Sequence, residues 1–281
     1  MTVVEEMLSR YSPENEDQYK QAVKEIMQEI VLCGLARSGF FDVAAFTGGT
    51  ALRILHGLKR FSEDLDFSLL NSGEDFSFEK HLPYVKRELN ANGFDIELGK
   101  VNEKSVVKSA FIKVDTYRLI LNFLSMDPEV FQISMTEKVK VKLEIDTNPP
   151  AGAQYEELTK LLPSPHIVRC LRLPSMFALK CHALMCRNYI KGRDYYDYLW
   201  FMSQRTEINY VLLKNAFYQT EGKILSQDDI KDHLRSLFHN ADIDEVKDDV
   251  RRFLENPDEI ARWKNETFEN TITSVGFQKF A

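Results

Sequence analysis

The sequence predicts an α+β protein: a mixed β-sheet with flanking helices in the N-terminal half, followed by a helical C-terminal half. Three observations carry this expectation. Residues 14–38 and several stretches beyond about residue 171 repeat apolar side chains at helical spacing, whereas 94–146 changes to the two-residue alternation of strands. Between these regimes Asn148-Pro149-Pro150-Ala151-Gly152 stops regular structure and places a boundary between 1–150 and 151–281. A chain of 281 residues with 44% hydrophobic content can bury a sizeable core as one large domain or two small ones.

In order along the chain, Tyr19, Val23, Ile26, Ile30 and Leu35 mark the buried stripe of a first helix over 14–38. Val43 to Phe46 is a short buried strand. Thr50 to Leu58 returns to helix, with Leu52, Ile54 and Leu55 inward and Gly57 near its end. Leu65 to Leu70 is a strand stopped by Asn71-Ser72-Gly73, and 76–91 is a helix closed by Asn92-Gly93. Strand-forming segments follow at 94–101, 105–115, 117–124 and 137–146. The last alternates most cleanly: Val139, Val141, Leu143 and Ile145 face one way, and Lys138, Lys140, Lys142, Glu144 and Asp146 the other. Helices are expected at 174–190, 193–203, 207–218, 227–238, 243–255 and 257–267.

Composition excludes several classes. No apolar run reaches the roughly 20 residues that cross a bilayer, and the acidic start lacks a signal core, so the expected setting is cytoplasmic with no membrane partner. A net charge of −7 argues against a broad nucleic-acid-coating surface, leaving local clusters such as Lys59-Arg60 and Arg187/Lys191/Arg193. Cys33, Cys170, Cys181 and Cys186 lack zinc-knuckle spacing and read as reduced interior residues.

The chemistry concentrates in FTGGTALRILHGLKRFSEDLDF, Phe46 to Phe67. Asp64 and Asp66, two apart on a strand, project from one face, where they repel unless a cation such as Mg2+ lies between them. A solvated acidic strand edge is the bland alternative. The preceding Gly48-Gly49-Thr50 turn opens a helix whose free amides and dipole favour phosphate. Gly49 lets backbone approach a phosphate, and Thr50 can cap the helix and also donate its hydroxyl; capping alone is the plainer reading and does not exclude the second role. Arg53, one turn on, either steadies phosphate or pairs with Asp64. Two-metal chemistry needs a third acid, for which Glu144 is preferred to Asp146 because it lies deeper in its strand.

A second constellation is LPSMFALKCHALMCRNYIKGRDYYDYLW, Leu173 to Trp200. Lys180 sits within an otherwise apolar helix face, where it either snorkels to water or takes an anionic partner such as a triphosphate. Asp194 is placed to cap the next helix, and Arg193 to pair with Asp197 at i, i+4.

Together with KVKVKLEID, these segments resemble the AbiEii/AbiGii-type nucleotidyltransferase family over roughly residues 40–203. The resemblance implies a DNA-polymerase-β-like nucleotidyltransferase fold acting with Mg2+, Mn2+ being the substitute, and an NTP as co-substrate. It makes Asp64 and Asp66 the metal pair, Gly49 and Thr50 the phosphate turn, Ser62 part of the SED element before the pair, Lys180 a nucleotide contact and Asp194 the late catalytic acid, as base or as the group orienting Lys180. Gly-Thr stands where many nucleotidyltransferases have Gly-Ser, and the hydroxyl is kept. Nucleotide binding is expected at Gly48, Gly49, Thr50, Arg53, Ser62, Lys180 and Arg193, metal binding at Asp64, Asp66 and Glu144. The family also implies a toxin of a toxin–antitoxin or abortive-infection system, with tRNA as acceptor and a cognate antitoxin as partner. The competing readings are transfer to a small molecule or a protein, and a catalytically silent binding module on the same scaffold.

Overall fold

The computed structural model describes residues 2–11, 13, 16–73, 75–115 and 138–278. A short helix α1 (Val3–Leu8) is closed by a capping box: the Thr2 hydroxyl accepts from the Glu5 amide while the Glu5 carboxylate accepts from that of Thr2. Helix α2 (Glu16–Arg37) follows and buries all five residues of the expected stripe, Tyr19, Val23, Ile26, Ile30 and Leu35. Strand β1 (Ala44–Thr47) runs directly into α3 (Gly48–His56), which ends at Gly57 in the left-handed conformation that terminates helices cheaply. Strand β2 is Asp64–Leu69.

The helix expected over 76–91 is divided into a 3-10 turn at Phe78–Lys80 and α4 (Leu82–Ala91). Pro83 explains the division: without an amide it is tolerated only in the first turn of a helix, so α4 must begin beside it. Strands β3 (Ile96–Leu98), β4 (Val107–Asp115) and β5 (Lys138–Asp146) follow, and the strand expected over 117–124 lies outside the described residues.

Two strands that the sequence analysis did not foresee come after the Asn148–Gly152 break: β6 (Tyr155–Lys160) and β7 (His166–Leu171). They complete a seven-stranded sheet of order β3-β4-β5-β2-β1-β7-β6. It is mixed: β2 runs parallel to β5 and β1 to β7, while β1–β2, β3–β4 and β4–β5 are antiparallel. One face buries Leu65, Phe67, Ala110, Ile112, Val141, Leu143 and Ile145. The other carries the polar residues that alternate with them.

The remaining helices are α5 (Leu173–Cys186), α6 (Gly192–Ser203), α7 (Tyr210–Glu221), α8 (Gln227–His239), α9 (Ile243–Arg251) and α10 (Asn265–Glu269). The segment expected as one helix over 257–267 is a 3-10 turn at Pro257–Ile260 and the short α10. Gly192 opens α6 against the backbone of α9, where a Cβ would strike the Val246 carbonyl. The chain forms two compact units, residues 1–57, 61–149 and 157–170 in the first, and 58–60, 150–156 and 171–281 in the second. All four cysteines carry free thiols.

Candidate active site

In the first unit, strand register assembles a row of side chains across the open face of the sheet. Parallel pairing sets Asp64 beside Lys142 and Asp66 beside Glu144; antiparallel pairing sets Glu144 beside Ser109, Lys142 beside Phe111 and Asp66 beside Thr47. Residues directly paired across strands share a face, as do residues two apart within a strand. Asp64, Asp66 and Glu144 therefore lie on one face, with Thr47 on the β1 side and Ser109 on the β4 side. Asp146 is two pairs further along, opposite Ser68, and its carboxylate accepts the Asn148 amide at 2.9 Å.

Electrostatics show these groups sensing one another. Burial pushes the Asp64 carboxyl above its ordinary value; Lys24 and Lys142 pull it back, while Glu144 and Glu63 push it further up. The Lys142 ammonium lies 2.6 Å from Glu144 and is held above its usual value by that bond, with Asp64 and Asp66 adding to the effect. Lys142 also stands 5.8 Å from the centre of the Phe111 ring. Carboxylate oxygens are the donors hard divalent cations take; Asp64, Asp66 and Glu144 share this face, but their oxygens do not all lie within 4.8 Å of one another.

Beside the carboxylates stands the start of α3. Its cap position is Thr47, whose side chain makes no capping bond, so Thr50 is not the cap that the sequence suggested. Thr50 is fully buried in the first turn, and its hydroxyl donates to the Asp64 carbonyl oxygen. With its single proton committed there, its side chain positions β2, and only its backbone amide remains for an anion. Gly48 has φ +78°, and a Cβ on it would collide with the Asp66 carboxylate. That contact brings the turn and the aspartate together.

Helix α2 supports the intervening loop, a contribution the sequence analysis missed because these positions look like an ordinary polar helix face. Gln28 Nε2 donates to the carbonyls of Ser62 at 3.1 Å and Glu63 at 3.0 Å. Arg53 Nε donates to Glu25 at 2.9 Å, and its guanidinium lies 4.5 Å from the centre of the Phe61 ring.

The second unit holds a separate buried charge network. Arg60 forms a fork on Asp197 at 2.6 and 2.7 Å, both side chains being essentially inaccessible. Lys180 bridges Asp194 at 2.8 Å and Asp197 at 2.7 Å, and Arg187 completes the pairing on Asp194. Lys180 thus has anionic partners within the protein itself. Burial pushes the Asp194 carboxyl upward, but Lys180 and Arg187 outweigh it and hold the group below its ordinary value. Asp194 sits inside the first turn of α6, whose cap position is Lys191, so it does not cap that helix. Asp197, expected to pair with Arg193, is held by Arg60 and Lys180, and Arg193 lies 4.2 Å from the centre of the Phe253 ring. The sequence showed Arg60 only as half of a basic pair, because its partner is 137 residues away.

Arg60, Lys180 and Arg187 thus converge on Asp194 and Asp197, and further cations lie beside them. Burial lowers the Lys191 ammonium; Asp194 opposes this, while Arg187, Lys180 and Arg193 reinforce it. A cavity of about 510 Å3 adjoins the cluster, lined by residues that include Arg187, Tyr189, Lys191, Asp194 and Asn240.

A glycine turn abutting a carboxylate strand, on a mixed sheet with Glu144 one strand away, is the arrangement that the resemblance to the nucleotidyltransferase family implied. The chain matches the model of the nucleotidyl transferase AbiEii toxin, type IV toxin–antitoxin system, over residues 30–272, and it belongs to this family. Among solved structures it is similar to the MenT4 nucleotidyltransferase toxin from Mycobacterium tuberculosis H37Rv, at 15% identity and TM-score 0.52, covering 98% of this chain and 99% of that one. It also matches JHP933 from Helicobacter pylori, at 18% identity and TM-score 0.48, covering 91% and 88% of the two chains. No curated protein matches it in sequence. The family assignment makes the chain a nucleotidyltransferase, and the MenT4 likeness agrees in fold. Among the described residues no helix is long and apolar enough to cross a membrane.

Proposed function

We propose that this chain transfers a nucleoside monophosphate from an NTP to an acceptor hydroxyl, with Mg2+ held by Asp64, Asp66 and Glu144 and a tRNA as the acceptor. The observation that carries the reading is the register that lines up Thr47, Asp66 and Glu144 across three adjacent strands, with Gly48 packed against Asp66. The fit to a divalent cation rests on the donor set. Burial and the neighbouring acids Glu144 and Glu63 disfavour a negative Asp64, a strain that a cation relieves. Bound there, Mg2+ would supply charge neutralisation and orientation of the α-phosphate.

The protein's own groups do the rest. The first-turn amides of α3, including those of Gly49 and Thr50, receive the outer phosphates. Thr50, through its bond to the Asp64 carbonyl, and Gln28, through the Ser62 and Glu63 carbonyls, keep the carboxylate strand in place relative to those amides. As the acceptor oxygen bonds to the α-phosphorus, the bond bridging the α- and β-phosphates breaks. Pyrophosphate leaves with that electron pair, and the hydroxyl proton passes to a carboxylate base. The resemblance gives Lys180 to the nucleotide and Asp194 to the late acid. The cavity beside Arg187 and Lys191, next to the cations gathered on Asp194, supports an anionic ligand for the second unit. As a member of a type IV toxin–antitoxin family, the chain would act in the cytoplasm under the control of a cognate antitoxin.

The test is a screen with each α-labelled NTP in turn against total tRNA, total protein and a small-molecule extract. Label entering the tRNA fraction is expected; label entering only protein or only small molecules overturns the tRNA assignment, and label entering none overturns transfer itself.

A further inference from the structure

A second cavity, about 560 Å3, opens beside β4 in the first unit and is lined by residues that include Glu79, Lys100, Asn102, Lys104, Ser109 and Phe111. Its place in the sheet gives it meaning. Ser109 is the cross-strand neighbour of Glu144, and Phe111 that of Lys142, so both belong to the face that carries Asp64 and Asp66. Reading across β1, β2, β5 and β4, the α3 amides stand at one end, the carboxylates in the middle and this cavity at the other end. The whole row spans three strand spacings, about 14 Å.

In-line displacement requires the attacking oxygen and the leaving pyrophosphate to lie on opposite sides of the α-phosphorus. With the outer phosphates at the α3 amides, the acceptor must enter from the β4 side. We propose that this cavity binds the terminal nucleoside of a single-stranded RNA acceptor, presenting its ribose hydroxyl toward the carboxylate row. The inference rests on the nucleotidyl-transfer reading above and adds to it where the acceptor sits and which residues receive it.

The lining suits that class of ligand. The half-buried Phe111 ring offers a stacking wall, which serves any base. Asn102 and Ser109 offer an amide and a hydroxyl for sugar or base edges, and a pair of backbone bonds between them, 2.8 and 2.9 Å, fixes the cavity wall to β4. Lys100 and Lys104 stand exposed at the rim, where phosphates of preceding nucleotides would run, and balance the two acids of the lining, Glu79 and Glu103, the second of which accepts from the Ser77 hydroxyl. The volume falls within the roughly 300–1,000 Å3 typical of ligand sites.

The test measures binding, using the full chain, a short 5′-fluorescein-labelled single-stranded RNA with free 3′-terminal hydroxyls, and NTP titrated separately by calorimetry. Phe111→Ala should weaken RNA binding about ten-fold or more, the loss expected for one stacked base. Because Phe111 is half-buried and lies against Lys142, the exposed pair Lys100→Glu/Lys104→Glu supplies a variant that cannot fail through the core, and it should weaken RNA binding with a shallower salt dependence while leaving NTP affinity unchanged. RNA affinity unchanged in both variants, no RNA binding by the wild type, or a selective loss of NTP affinity would each overturn the assignment. The transfer screen is a separate readout: RNA binding that depends on Phe111 without any nucleotide transfer would remove the reaction and leave the RNA site standing.

Discussion

Asp64 shows how a single residue can be a liability to the fold and a requirement for the chemistry. Its carboxyl is partly removed from water, which together with Glu144 and Glu63 disfavours its negative charge and outweighs the pull of Lys24 and Lys142. Lys142, bonded to Glu144 at 2.6 Å, answers part of that repulsion. Asp64→Asn keeps the shape and removes the charge. In metal-free protein at neutral pH its melting temperature should therefore rise, by on the order of 2 °C, while nucleotide transfer is lost. Thermal unfolding followed by circular dichroism reads the first effect, and a lower melting temperature would show that Asp64 is held by favourable contacts and not under charge strain. The DxD pair was legible because both acids lie in one short strand. The choice of Glu144 over Asp146 needed more than alternation, which puts both on the same face. Only the parallel register with β2 shows Glu144 beside Asp66 and Asp146 beside Ser68.

Among the elements, the start of α3 has the strictest requirements. Gly48 must adopt φ +78° and must lack a side chain because the Asp66 carboxylate fills the space. Gly48→Ala adds backbone strain and a collision, so it should lower the melting temperature by about 2–4 °C and cut kcat at least about ten-fold by displacing Asp66. Unchanged kcat in this variant would mean that the turn and the aspartate do not act together. Helix α2, α3 and strand β5 were readable because each buries one face against the core and repeats at the matching period. Strands β6 and β7 were not. YEELTK has no apolar alternation, and it forms an edge strand with mostly half-exposed residues whose place depends on pairing within the sheet. Pro83 was visible in the sequence, yet the helical pattern around it hid the break that its missing amide imposes.

At the scale of the whole molecule, each compact unit carries its own concentration of charge within a chain of net charge −7. The first unit gathers carboxylates that call for a cation; the second gathers cations around Asp194 and Asp197. The resemblance drew attention to Lys180 and Asp194, but their mutual pairing, with Arg60 and Arg187 added, depends on side chains brought together from far apart in sequence. Removing one member of such a buried network commonly costs about 3–5 kcal/mol, so loss of activity at Lys180 would mix stability with chemistry. The carboxylate pair of the first unit gives a cleaner test. The decisive measurement is Mg2+-dependent incorporation of labelled NMP into total tRNA by the wild type and by Asp64→Ala and Asp66→Ala, with folding of each verified by circular dichroism. The account predicts transfer by the wild type and a loss of about 100-fold or more in each variant; undiminished transfer by either folded variant would contradict it.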